Sequence, residues 1–109
     1  MTVHDLTEKL GLQPLSLANA DRELSGVYIG DLLSWVMGRA SCDNVWITIM
    51  SNINIIAVAA LADVACIVLA EGVTLEESVQ ATAKQKGINV LTTDKTAYEI
   101  AAELARLGL

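Results

Sequence analysis

The chain has 109 residues, 53% of them hydrophobic and 18% charged, with a formal net charge of −6. That length holds one domain with one core, and low charge with a single proline does not suit a disordered segment. The seven basic residues are scattered, so neither nucleic acid nor an anionic membrane surface is an expected partner.

In chain order, "TVHDLTEKLGL" (2–12) predicts a helix capped by Thr2, with Leu6 and Leu10 one turn apart and Gly11 ending it. "QPLSLA" (13–18) reads as a short extended piece, and Pro14 suits an edge position. "NADRELSG" (19–26) is turn-rich. "VYI" (27–29) is a short strand, and Gly30-Asp31 opens a helix over 32–39 that stops near Gly38. "SCDN" returns the chain to the next strand.

Residues 46–72 form the most apolar stretch. A membrane helix needs about 20 mainly apolar residues. Ser51, Asn52, Asn54 and Asp63 interrupt this one, and its character changes along its length. "VWITIM" (45–50) is β-branched and aromatic, hence a strand. "SNINIIAVAALAD" (51–63) is Ala-rich and opens with residues favoured as caps, hence a helix. "VACIVLA" (64–70) is β-branched again and stops at Glu71-Gly72. The segment is a βαβ crossover whose two continuous apolar strands suit a parallel sheet covered on both faces.

Thr74-Leu75-Glu76-Glu77 has the form of a capping box and starts a helix that carries Leu75, Val79 and Ala83 on one face and ends at Gly87. "INVLTT" (88–93) is the next strand. A last helix runs to Leu107 with Ala97, Ile100, Ala101 and Leu104 on one face and Gly108 as its stop. No repeat, low-complexity tract or linker divides residues 1–109. The alternation predicts a single-domain α/β sandwich with a mostly parallel sheet flanked by helices.

Chemistry-bearing residues are few. Cys42 and Cys66 lie far apart without a histidine nearby, which predicts two reduced thiols, Cys66 buried in a strand, and no metal site. The one histidine, His4, lies in a terminal helix, and no Ser/His/Asp set or Gly-rich phosphate loop is present. No basic segment opens the chain, so no signal peptide is expected, and the cytoplasm is the expected compartment.

In an open parallel sheet, ligands bind outside the carboxyl ends of the strands. Four such ends are Gly30-Asp31, Ser51-Asn52, Glu71-Gly72 and Thr93-Asp94. Asp31, Ser51 and Asp94 read as helix caps or first-turn acids. The functional reading of the same residues is a polar pocket of Asp31, Ser51, Asn52, Asn54, Thr93 and Asp94. Asn54 is expected to be buried, pinning a loop or facing a cleft, because a core-facing first turn has little use for an amide.

"DRELSGVYIGDLLSWVMG", "VWITIMSNINIIAVAAL", "ACIVLAEGV" and "GINVLTTDKTAYEIAAEL" together resemble the DRTGG domain, in particular its small free-standing clostridial-type members. The "GDLLS" and "NIIAVA" blocks are its most specific parts. That family is similar to the N-terminal domain of HPr kinase/phosphorylase and to a domain within some phosphotransacetylases and CBS-domain pyrophosphatases. The resemblance implies an α/β sandwich used as a regulatory or dimer-forming module, with no activity or cofactor of its own. The name-giving Asp-Arg-Thr-Gly-Gly block aligns on Met50–Asn54, where this chain has neither the arginine nor the glycines. Asp21-Arg22 is a partial echo upstream.

Two functions are therefore expected. The first is a non-catalytic regulatory or assembly domain acting as a homodimer. Its candidate interface is Trp35, Val36 and Met37 on a helix that is apolar on more than one face, and a protein encoded by neighbouring genes is a candidate partner. The second is a nucleotide or metabolite sensor that uses the strand-end pocket.

Overall fold

Two apolar tetrapeptides, Val45–Thr48 and Cys66–Leu69, are strands in which every residue is buried in the computed structural model, which describes all 109 residues. Strands buried on both faces need helices above and below them, and the remaining elements supply that cover. Their order is α1 (Val3–Leu10), β1 (Gln13–Ser16), β2 (Val27–Ile29), α2 (Leu33–Arg39), β3 (Val45–Thr48), α3 (Asn54–Ala62), β4 (Cys66–Leu69), α4 (Glu77–Gln85), β5 (Val90–Thr92) and α5 (Ala97–Arg106).

The strands form one sheet in the order β1-β5-β4-β3-β2. β2 to β5 are parallel, in registers such as Val27↔Val45, Val45↔Cys66 and Ile67↔Val90. β1 is antiparallel to β5 on the edge where Pro14 is expected, and its register shifts between Pro14 and Ser16. The chain advances across the sheet in one direction from β2 to β5. Crossovers of one hand then leave α2, α3 and α4 on the same face. There Val36, Ile55, Val58, Val79 and Ala83 pack on Trp46, Ile67 and Leu69. On the other face, Val3, Leu6, Ile100 and Leu104 of α1 and α5 pack on Val45, Ile47, Val68 and Leu91. The architecture is a three-layer α/β/α sandwich, as expected, and no helix is long and apolar enough to cross a membrane.

Caps correct the sequence reading at several points. Thr2 caps α1 in a full capping box with Asp5. Thr74 does not cap α4: residues 73–76 are non-helical, and the helix starts after Glu76 without a side-chain cap. Thr92 Oγ1 donates to the Val73 carbonyl (2.5 Å) and buried Leu75 anchors the segment, which holds Thr74 away from the helix. The capping box forms instead at Thr96 and Glu99 of α5. Asp31 does not cap α2, whose N-cap Leu32 has no side-chain bond. Ser51 does not cap α3 either; Asn52 Oδ1 accepts from the Asn54 N–H at 2.9 Å. Asp94 is displaced from the α5 cap by Thr96.

Asn89 ties the turn at Asn19 to the start of β4 from a buried position. Its Nδ2 donates to the Asn19 (2.8 Å) and Ala65 (3.0 Å) carbonyls, and its Oδ1 accepts from the Asn19 N–H at 2.8 Å. Asn89→Ala removes these bonds and leaves buried backbone groups unpaired. It is expected to lower stability by roughly 2–4 kcal/mol, read from urea unfolding at unchanged slope.

Candidate functional site

The carboxyl edge of the parallel sheet carries the predicted residues, but it divides them. Asp31 follows β2 and Thr93 follows β5, three strand spacings or roughly 14 Å apart. Asp31 Oδ1 accepts from Thr48 Oγ1 at 2.7 Å and from the Ile49 N–H at 3.1 Å, so this carboxylate closes the end of β3. Beside it, Trp46 Nε1 donates to the Gly30 carbonyl at 2.9 Å, fixing the turn that delivers Asp31. Ser51 and Asn52 are exposed in the loop before α3. Asn54 is exposed rather than buried and lies in a groove between α3 and α4. The reason is helix phase: Ile55, Ile56, Val58 and Ala59 take the core face and leave Asn54 outside.

Thr93 and Asp94 do share a cavity. It has a volume of about 410 Å³ and is lined mainly by polar residues, among them Gln13, Gly72, Thr74 and Lys95. Its floor is built by backbone pairing: the Gly72 N–H donates to the Thr93 carbonyl (2.9 Å) and the Glu71 N–H to the Lys95 carbonyl (2.8 Å). Glu71 and Gly72 both have left-handed backbone, at φ 58° and 75°. A Cβ on Gly72 would stand 3.1 Å from Asp94 Oδ1, so the absent side chain keeps this carboxylate in place. Lys95 Nζ pairs with Glu103 Oε1 at 2.7 Å, while Glu103 Oε2 is buried without a partner. The cavity thus offers hydroxyls, an amide, one carboxylate and one paired ammonium, a set suited to a polar, hydrogen-bonding ligand.

Of the candidate interface residues on α2, only Trp35 and Met37 are exposed. Val36 is fully buried in the core between α2–α4 and the sheet and cannot belong to a surface. The Arg39 guanidinium lies 3.7 Å from the Trp35 ring centroid and covers one face of it.

The opposite edge holds a cluster that sequence reading passed over. Arg22 reaches Asp43 Oδ1 (2.9 Å), Asp63 Oδ1 (2.8 Å) and the Asp63 carbonyl (2.7 Å), joining three loops. Asp43 and Asp63 both have positive φ, and the guanidinium holds both of these turns. Cys42 Sγ donates to Asp63 Oδ2 at 3.1 Å. That bond pushes the Cys42 thiol pKa up, and together with Arg22 it holds the Asp63 carboxyl below the usual range. Burial pushes Cys66 up to about 12. The signal in the sequence was Asp21-Arg22, read only as an echo. No group of three or more His, Cys, Asp and Glu side chains is arranged to hold a metal ion.

Comparison with known proteins adds two findings. The family described as the DRTGG domain matches residues 5–107. Among solved structures, the CBS and DRTGG domains of the regulatory region of Clostridium perfringens pyrophosphatase, complexed with the activator diadenosine tetraphosphate, superpose with a TM-score of 0.70 at 14% identity. The match covers 93% of this chain and 44% of that one, so it shows a shared fold within a longer neighbour. No curated protein matches the chain.

Two measurements probe this geometry. Thiol titration of the native protein is expected to label Cys42 slowly and Cys66 only after unfolding, because both thiolates are disfavoured. The carboxyls of Asp5, Asp63 and Glu99 are lowered by their hydrogen-bond partners. Lowered acids stabilise the fold above their unfolded pKa of about 4 and lose that contribution as pH falls through the folded values. Urea midpoints are therefore expected to fall progressively below about pH 4, and less so in Arg22→Ala, where one of the two partners that lower Asp63 is gone.

Proposed function

The chain belongs to the DRTGG domain family, and on that premise we propose that it is a non-catalytic regulatory module that works as a homodimer. The carrying observation is the family match over residues 5–107, which takes up nearly the whole chain. The solved neighbour supports the reading, since its DRTGG domain lies in the regulatory region of an enzyme. The placed charges support it too. Asp31 closes a strand end, Arg22 joins loops, Asp5 and Glu99 cap helices, and Lys95 pairs with Glu103. In this reading the module acts in the cytoplasm, and its effect passes to a separate protein, with one encoded by neighbouring genes as the first candidate. Sedimentation at micromolar concentration is expected to give twice the chain mass, and a clean monomer would overturn the homodimer.

A second reading rests on the cavity at the end of β5. The neighbour was solved with a dinucleotide activator, and Thr93, Asp94, Gln13 and Thr74 line a polar space of about 410 Å³ here. Under this reading the module senses a nucleotide or metabolite at that edge. Asp31, Ser51, Asn52 and Asn54 do not line that space, so the sensor site contracts to the β5 side. A thermal-shift screen with diadenosine tetraphosphate and simple nucleotides is the test. A ligand at 100 times its dissociation constant adds about 2.7 kcal/mol to stability. That gain should vanish in Thr93→Val, and an unchanged melting temperature across the screen counts against sensing.

A further inference from the structure

We propose that the cavity at the carboxyl end of β5 takes an uncharged vicinal diol, that of a ribose or another sugar, on the Asp94 carboxylate. This rests on the sensing reading above and names its ligand class. Asp94 is exposed, Thr96 has displaced it from the α5 cap, and none of the four ion pairs includes it. Gly72 lets it lie close to the backbone, since a Cβ there would stand 3.1 Å from Asp94 Oδ1. A carboxylate without a partner presents two acceptor oxygens side by side, which two adjacent hydroxyls can engage together.

The charges around the cavity decide between ligand classes. A phosphate would meet Asp94 with no free cation to offset it, because the Lys95 ammonium is engaged by Glu103 Oε1 at 2.7 Å. The Thr96/Glu99 box already closes the first turn of α5, and Glu71 adds a second acid next to Gly72. A cationic ligand would have Lys95 as a neighbour in the same lining. Hydroxyls suit the remaining set, because they donate and accept at once. Thr93 Oγ1 accepts from the Lys95 N–H at 3.3 Å, which leaves its own O–H to donate. Gln13, opposite Thr92 on β1, and Thr74 are exposed in the lining, and each carries a donor and an acceptor. Thr92 contributes none, since its O–H is spent on the Val73 carbonyl. In dinucleotide-binding sheets an acidic side chain likewise takes a ribose hydroxyl. The volume of about 410 Å³ lies toward the lower end of small-molecule sites, which span about 300–1,000 Å³. It suits a single sugar or nucleoside better than a whole dinucleotide.

The test is a nuclear magnetic resonance titration of the full chain, following the backbone amides of Gly72, Thr93 and Asp94. Adenosine and uridine are expected to shift these amides, and 2′-deoxyadenosine to bind about 10-fold more weakly or worse. Methyl riboside separates the two sources of the diol. Binding comparable to adenosine marks a sugar site, and weaker binding marks a nucleoside site in which the base contributes; either supports the diol. Asp94→Asn should cost adenosine about 10-fold in affinity, with circular dichroism confirming the fold. Glu71→Gln, outside the lining, should leave adenosine binding unchanged, because a neutral ligand does not feel that charge. Added salt should likewise have little effect. Equal binding of 2′-deoxyadenosine, or an Asp94→Asn variant that binds adenosine as well as the wild type, overturns the diol. ATP binding at least about 10-fold tighter than adenosine and weakening with salt also overturns it, while leaving the sensing reading in place. If no riboside moves these amides, the diol falls; if no nucleotide or metabolite shifts the melting temperature either, sensing falls with it.

Discussion

Burial of β3 and β4 on both faces is the constraint on which the rest of this structure depends. Eight strand positions in two runs of four, Val45–Thr48 and Cys66–Leu69, are closed to solvent. At about 1.5–3 kcal/mol for each large apolar side chain, they are the strongest local demand for cover in the chain. The demand is two-sided, which is why three crossover helices on one face are matched by the two terminal helices on the other. It also explains the scarcity of aromatics. β-branched strand residues under Ala-rich helices fill a thin sandwich without large rings, and Trp46 is the one aromatic fully enclosed.

The ends of those strands are where the chain uses its polar groups. At the carboxyl edge, Asp31 and Thr92 accept and donate across neighbouring segments, and Glu71-Gly72 takes a left-handed path that opens a cavity beside Thr93. At the amino edge, a single arginine gathers two aspartates whose backbones are also left-handed. The two edges differ in character: one is closed by a salt-bridged knot, the other leaves a polar hollow. That asymmetry is the physical basis for looking for a ligand at one end of the sheet and not at the other.

Much of the fold was legible because each strand and helix has its own period and punctuation. The strands at 27–29, 45–48 and 66–69, the Pro14 edge and the Thr2 cap follow from continuous β-branched runs, capping residues and turn residues. What was not legible depended on distance. Thr74 has the pattern of a capping residue, yet a hydroxyl eighteen positions later, on Thr92, holds the preceding carbonyl and delays the helix. The Thr96/Glu99 box had the same pattern and did form. Asn54 looked buried because its neighbours are apolar; only the phase of α3 against the sheet puts it outside. The pocket was assembled from residues at one edge, but strand order, invisible in a list of strand ends, separates Asp31 from Thr93. Arg22 escaped notice because its two carboxylates come from loops on the far side of two crossovers.

Pro14 and the register shift beside it bear on how the sheet can grow. A strand that lacks one amide donor and changes its alignment midway offers a poor template for a further strand. The opposite border is β2, only three residues long. Neither border invites lateral extension into a ribbon, so crowded copies of this chain are steered away from fibril-like stacking.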